Sequence, residues 1–327
     1  MLKRQKRLKL PAVEMSLKVE ERYARAVRES APYRYVIKPA MRLVSRNNGN
    51  GNGMRSVLTK PERSSPKLDV DSYTTPEARE LASRVNQVDW YHTINLPHGI
   101  TTPGFVDHRD QMRHYGLPED MTGMRALDIA TYDGFLAFEM ERRGAEVVAI
   151  DIPRWSDVDI PMRWKEQQGE ALDVPTGDGF RLAAASLNSK VDRREINVYD
   201  LTPEQVGDFD VVMISDLLQH LRDPLRALER AHTVTRPSGY TIVAEVYSPD
   251  LESFDGAPMI RHGGYHGYAW SVFSTHALKL MMDIAGYEPV TETARFSLKH
   301  RQPGEARKVI LRGHPRTRNH DYGPQNT

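Results

Sequence analysis

Cysteine is absent from this 327-residue chain, which excludes disulfides, thiolate nucleophiles and thiolate zinc sites and fits a cytoplasmic protein. No apolar run approaches the roughly 18 residues that a membrane-crossing helix needs. The opening MLKRQKRLKL is basic but lacks the apolar stretch and small-residue cleavage site of a secretory signal. The twelve histidines show no H-E-x-x-H or related spacing, so no metal is assigned. What is present, 39% apolar and 27% charged residues, is an ordinary soluble composition with room for one α/β core plus extensions.

A formal net charge of +1 conceals an uneven distribution. Residues 1–70 carry 17 Lys/Arg against 6 Asp/Glu, and residues 295–327 carry 8 against 2, leaving 20 against 36 in between. Basic ends attract phosphate backbones through counterion release, yet solvated basic tails are common and the acidic middle opposes a broad nucleic-acid footprint.

The run NNGNGNG at 47–53 can form neither a helical stripe nor a packable strand, and it reads as a flexible linker. A charged helix is expected before it, over Val13 to Ser30, and an unstructured Pro-, Ser- and Lys-rich stretch after it. Folded structure is expected from about Thr75. Residues 1–74 then form a basic, largely flexible extension, 75–122 a cap segment, 123–314 the core and 315–327 a flexible tail. Within the cap, 76–88 read as helix, Trp90 to Gly104 as an irregular aromatic and histidine-rich stretch, and 106–115 as a short helix.

In the core, MRALDIA (124–130) reads as a buried parallel strand, followed by a helix that carries Phe135, Phe138 and Met140 and ends at Gly144. EVVAIDI (146–152) is the second strand. An irregular insertion (153–177), a helix near 179–187, a strand near 195–199 and a fourth strand, FDVVMIS (209–215), come next. Asp223 and Pro224 supply the cap and first residue of a helix reaching about Val234. YTIVAEV (240–246) is the fifth strand, Ser274 to Ala285 a helix, and 287–294 with 307–312 an antiparallel edge hairpin.

Residues Asp128 to Gly134 join the first strand to its helix, where backbone N–H groups and a helix N-terminus approach ligands at the carboxyl edge of such a sheet. Asp151, ending the second strand, is placed to accept hydrogen bonds from both hydroxyls of a ribose. A nucleoside ligand fits these features, and so does an ordinary β-α turn with a surface Asp. The G-x-G-x-x-G fingerprint of nicotinamide dehydrogenases is missing, since Asp128 to Phe135 holds a single glycine.

With Asp128 as an acidic residue and Gly134 as the last of an alternating glycine series, the turn resembles the first motif of the class I S-adenosylmethionine-dependent methyltransferases. Ala130 and Tyr132 stand at two positions usually occupied by glycine. LDIATYDGFLAFEMERRGAEVVAIDI is similar to a branch that writes this stretch as D-x-G-T-x-D-G-F. That branch includes proteins resembling the tRNA wobble-uridine carboxymethyltransferases and uncharacterised bacterial methyltransferases. The resemblance spans about residues 88–312. It implies a Rossmann-like, doubly wound, mostly parallel seven-stranded sheet with an antiparallel edge hairpin. It also implies S-adenosyl-L-methionine as cofactor, with a donor site drawn from Asp128, Ala130, Tyr132, Gly134, Asp151, Asp200 and Ser215. Asp200, in VYDL, matches the position that contacts adenine and reads equally as a helix cap. RPSGYTIVAEVY resembles the turn and fifth strand, where Gly239 also reads simply as a turn residue and Glu245 as a solvated strand end.

FDVVMISDLLQHLRDPLRAL resembles the fourth-strand motif of these enzymes and ends in His220, whose imidazole can accept a proton near neutral pH or simply pack against its loop. Trp90, His92, Tyr265, His266 and Trp270 are the candidates for lining an acceptor pocket. Two function classes remain open: O- or N-methylation of a small molecule, and methylation or carboxymethylation of RNA, which the basic ends favour. A donor-binding protein without catalysis is a third reading.

Overall fold

A computed structural model describes residues 65–254, 256–265, 269–300 and 305–316. The linker at 47–53, the helix expected over Val13 to Ser30, His266 and nearly all of the C-terminal tail lie outside the described residues.

The core is a seven-stranded sheet built from β1 (Arg125–Ile129), β2 (Glu146–Asp151), β3 (Asp192–Glu195), β4 (Phe209–Ser215), β5 (Thr235–Val246), β8 (Tyr287–Lys299) and β9 (Glu305–Pro315). Its order is β3-β2-β1-β4-β5-β9-β8. The first five strands run parallel and β9 is antiparallel to both β5 and β8. The chain starts in the middle, winds outward to β3, then returns beside β1 as β4. The crevice between the carboxyl ends of β1 and β4 is thus the switch point where doubly wound sheets take their ligands. A separate two-stranded ribbon pairs β6 (Ile260–His262) with β7 (Ser271–Phe273).

The central strands bury both faces, which is why their sequences are continuous apolar runs rather than alternating ones. Val147, Val211 and Met213 pack with α1 (Pro76–Val85), α2 (Phe135–Arg142) and α4 (Asp178–Leu187) on one side. Their neighbours Val148, Val212 and Ile214 pack with α6 (Pro224–Thr233) and α8 (Thr275–Ile284) on the other. Capping follows the residues: Asp223 accepts the Arg226 N–H at 3.0 Å, and Ser274 accepts the Ala277 N–H at 3.1 Å.

Four expectations are corrected. The third strand lies at Asp192–Glu195, before the expected 195–199. Its DRRE sequence has no apolar run because it is an edge strand, and Asn197 turns the following residues into a 3-10 helix (Val198–Asp200) by accepting the Tyr199 N–H at 3.0 Å. The insertion after β2 holds a helix, α3 (Met162–Gln168), and its Trp155, Ile160, Trp164 and Leu172 form a small cluster with Tyr265. Gly239 sits inside β5, where a side-chain carbon would come within 2.8 Å of the Phe209 and Asp210 carbonyl oxygens. Folded structure also reaches back past Thr75: Leu68 exchanges two hydrogen bonds with the Asn86 side chain, at 2.7 and 3.0 Å. Two short helices, α5 (Pro203–Val206) and α7 (Pro249–Glu252), complete the set.

Candidate active site

A cavity of about 400 Å³ opens at the carboxyl ends of β1, β2 and β4. Its floor is the turn after β1, where backbone conformation alternates: Ala130 (φ +60°), Tyr132 (+52°) and Gly134 (+91°) are all left-handed. Two positions usually occupied by glycine therefore keep the glycine conformation with side chains present, a strained arrangement for alanine and tyrosine. Gly134 has no such latitude, because a side-chain carbon there would lie 2.5 Å from the Phe138 ring. α2 starts at the next residue, so its free N–H groups face the turn.

Three aspartates border this turn. Asp151 accepts the Tyr132 N–H and the Ile152 N–H, each at 2.8 Å. Burial raises its pKa, and those two donors oppose the rise. Asp128 is 2% exposed, and its Oδ2 has no hydrogen-bond partner among the described residues. Burial pushes its carboxyl up to about 7, against the pull of Thr131 and His92. Asp133 accepts the backbone N–H groups of Tyr91 and His92 at 3.0 and 2.9 Å and also meets the His92 ring. The cap segment is thereby tied to the turn.

The opposite wall comes from the end of β4: Ser215, Asp216, Leu217 and His220, the last closing a short 3-10 turn. His92, Tyr132 and Tyr265 also line the cavity. Trp90 does not. It is 0% exposed, its indole N–H donates to the Val85 carbonyl at 3.0 Å, and it belongs to the buried core cluster. Trp270 is also outside the cavity wall: its indole N–H donates to the Asp159 carbonyl at 2.7 Å, and the Arg222 guanidinium covers its ring. Asp200 is also outside the cavity wall, with a side chain 72% exposed and 3.8 Å from Arg226.

Glu245 is no solvated strand end. It is 0% exposed and accepts the Leu218 and Val246 N–H groups at 2.8 and 3.0 Å. Burial, followed by the neighbouring Asp216, pushes its carboxyl up to about 8. The sequence pattern did not single out Asp133, Asp216, Tyr91 or Lys308. The first two had a readable signal, since Asp133 lies inside the motif and Asp216 directly follows a strand end at the switch point. Lys308, on an antiparallel strand 92 residues from Asp216, had none.

The left-handed turn, the helix N-terminus and the two carboxylates at adjacent strand ends form a setting for a nucleoside that carries a cation. A family profile described as Methyltransferase domain matches residues 109–292. The chain belongs to this methyltransferase family. The domain is of the Rossmann-like kind that uses S-adenosylmethionine. Ubiquinone biosynthesis O-methyltransferase of Acinetobacter baumannii (strain AYE) is 31% identical over 127 residues, covering 38% of this chain and 45% of that protein. The protein of the same name from Xanthomonas oryzae pv. oryzae (strain PXO99A) is 31% identical over 120 residues, covering 37% and 42%. The chain thus spans less than half the length of these curated relatives. Among solved structures, the N-terminal domain of EvdMO1 with SAH bound has a TM-score of 0.49 at 16% identity, covering 75% of this chain and 99% of that one. Among the described residues of this methyltransferase domain, no helix is long and apolar enough to cross a membrane, and no group of metal-ligating side chains is assembled.

Proposed function

We propose that the protein transfers a methyl group from S-adenosylmethionine to an oxygen or nitrogen atom of a small molecule. The observation that carries this reading is the pairing of Asp151, at the end of β2, with the unpartnered Asp128 oxygen across a left-handed turn. Asp151 holds the ribose hydroxyls with the lone pairs that its backbone donors leave free. Asp128 faces the ammonium of the methionine part, a cation that compensates for a buried, unpaired carboxylate. The backbone of Ala130, Tyr132 and Gly134 shapes the bed, and Ser215 closes it from β4. S-adenosylmethionine supplies an electrophilic methyl group on a sulfonium.

Orientation within the cavity is the protein's main contribution to such a transfer. His220, on the wall after β4, takes the proton that the acceptor loses. His92 and Tyr265 border the acceptor. The relatives are named for O-methyl transfer, which supports oxygen as the receiving atom.

RNA modification is the second reading, favoured by the 17 Lys/Arg against 6 Asp/Glu in residues 1–70. Carboxymethyl transfer fits less well: the cavity wall holds six aspartates and no Lys or Arg among the described residues, so nothing there matches an extra carboxylate on the donor. Calorimetry with S-adenosylmethionine, S-adenosylhomocysteine and NADH, followed by a labelled-methyl screen of small-molecule and RNA fractions, tests the assignment. Folded protein that binds NADH and neither sulfur nucleoside would overturn it.

A further inference from the structure

Asp216 is the first residue past β4, and its backbone is left-handed at φ +52°, a conformation that persists only where the surroundings hold it. Three contacts do so. Its N–H donates to the Ala244 carbonyl at 3.0 Å. Lys308, from the middle of β9 and fully buried, donates to Asp216 Oδ2 at 2.7 Å and to Ser215 Oγ at 3.2 Å. Glu245 ties down the next turn through the Leu218 N–H. Burial works against the Lys308 charge, but Asp216, Tyr115 and Glu245 outweigh it and keep the ammonium protonated. A buried ammonium needs such a partner, and the pair fixes one face of the Asp216 carboxylate.

The other oxygen, Oδ1, is buried and has no hydrogen-bond partner among the described residues. Asp216 belongs to the cavity wall, between Ser215 and His220. An unpaired buried carboxylate oxygen calls for a hydrogen-bond donor, and at this wall the donor can come from a ligand. Tyr91, Tyr132 and Trp155 share the cavity, with Tyr132 edge-on to each of the other two. These faces suit a flat ring.

We propose that Asp216 anchors the molecule that is methylated: Oδ1 accepts a hydrogen bond from its hydroxyl or amine, with Lys308 as the positioning residue behind. The site therefore takes neutral or cationic acceptors and refuses carboxylated or phosphorylated ones, because the buried ammonium behind it is spent on Asp216 and the described wall presents no Lys or Arg. This inference rests on the methyltransferase reading. No bond is made or broken at Asp216, which only holds the acceptor while the proton leaves elsewhere.

Ligand-observed NMR on the full-length protein saturated with S-adenosylhomocysteine tests it with three probes on one ring: 3-hydroxybenzyl alcohol, 3-hydroxybenzylamine and 3-hydroxybenzoate. The alcohol and the amine are expected to bind, and the benzoate to bind about tenfold more weakly or worse, the scale of one charge-assisted hydrogen bond replaced by a like-charge contact. Asp216→Asn keeps the shape and removes the charge, so it should bring the alcohol and the benzoate to similar affinity. Lys308→Met should shift the same ratio, which a merely structural lysine would leave alone. If that variant does not fold, Asp216→Asn carries the test. The anchor is overturned by benzoate binding as tightly as the alcohol, by no saturable binding of any probe, or by an unchanged ratio in Asp216→Asn. Failure of S-adenosylhomocysteine itself to bind the wild-type protein removes the methyltransferase reading instead.

Discussion

The ring of His92 and the carboxylate of Asp133, 41 residues apart, meet in a hydrogen bond that fastens the cap segment to the turn after β1. Asp133 stands between two left-handed residues, Tyr132 and Gly134. Removing its carboxylate strands the Tyr91 and His92 N–H groups as well as the imidazole. Asp133→Ala is expected to destabilise the protein by about 2–4 kcal/mol, the scale of breaking a buried charged hydrogen-bond network. Denaturant unfolding reads this directly, and a midpoint equal to that of the wild type would show that the cap is held by packing alone.

Asp151→Ala should weaken S-adenosylmethionine binding by about 1–3 kcal/mol, as expected for charge-assisted hydrogen bonds lost at a largely desolvated site. Titration calorimetry provides the affinity and thermal unfolding the control. An unchanged affinity in a normally folded variant would place the ribose elsewhere.

The alternating left-handed turn predicts unequal effects at two nearby sites. Gly134→Ala forces a side-chain carbon to 2.5 Å from the Phe138 ring and should destabilise by about 1–3 kcal/mol. Ala130→Gly relieves a left-handed alanine at φ +60°, and this relief offsets the extra chain entropy of glycine, so its stability should stay within about 1 kcal/mol of the wild type. Melting temperatures of the two variants decide, and a stable Gly134→Ala protein would mean that the Phe138 ring moves aside freely.

Asp128 sets a pH dependence. Burial pushes its carboxyl up to about 7, whereas in the unfolded chain it ionises near 4. The folded state therefore binds more protons in that interval, and stability falls as pH rises from about 4 to about 7, with the full penalty present above. Asp128→Asn should stabilise the ligand-free protein at pH 8 by on the order of 2 kcal/mol while weakening donor binding. A cation beside Asp128 favours its charged form, so S-adenosylmethionine binding between pH 6 and 7 should release protons. Calorimetry in buffers of different ionisation enthalpy measures that release, and its absence would move the ammonium away from Asp128.

Deleting residues 1–64 should leave the core folded and donor affinity unchanged, because contacts such as Leu68 with Asn86 lie beyond the cut. Activity on RNA that falls on truncation, with a flatter salt dependence of binding, would bring the RNA reading to first place.

The fold was legible wherever burial on both faces imposes its own pattern: β1, β2 and β4 are continuous apolar runs, and their ends were readable to within a residue or two. β3 was not, because an edge strand needs no apolar run and DRRE carries none. Asp128, Asp151 and His220 were readable as cavity residues because each stands within about a turn of the carboxyl end of such a run. Trp90, Trp270 and Asp200 lie outside the cavity wall, since residue type says little about which side of a loop faces inward.

The amino-acid sequence by itself determined the Rossmann-like core, the methyltransferase motif and the strand ends that carry the cavity-lining carboxylates Asp128 and Asp151, all through local pattern and spacing. Only the tertiary structure decided that Ala130 and Tyr132 keep the conformation of the glycines they replace, that Asp133 holds the cap, and that Glu245 is buried. It alone brought Lys308 across 92 residues to Asp216. That pairing depends on which strands become neighbours in the sheet: β9 inserts antiparallel beside β5, and the desolvation of a buried ammonium then dictates a carboxylate partner that no local spacing announces.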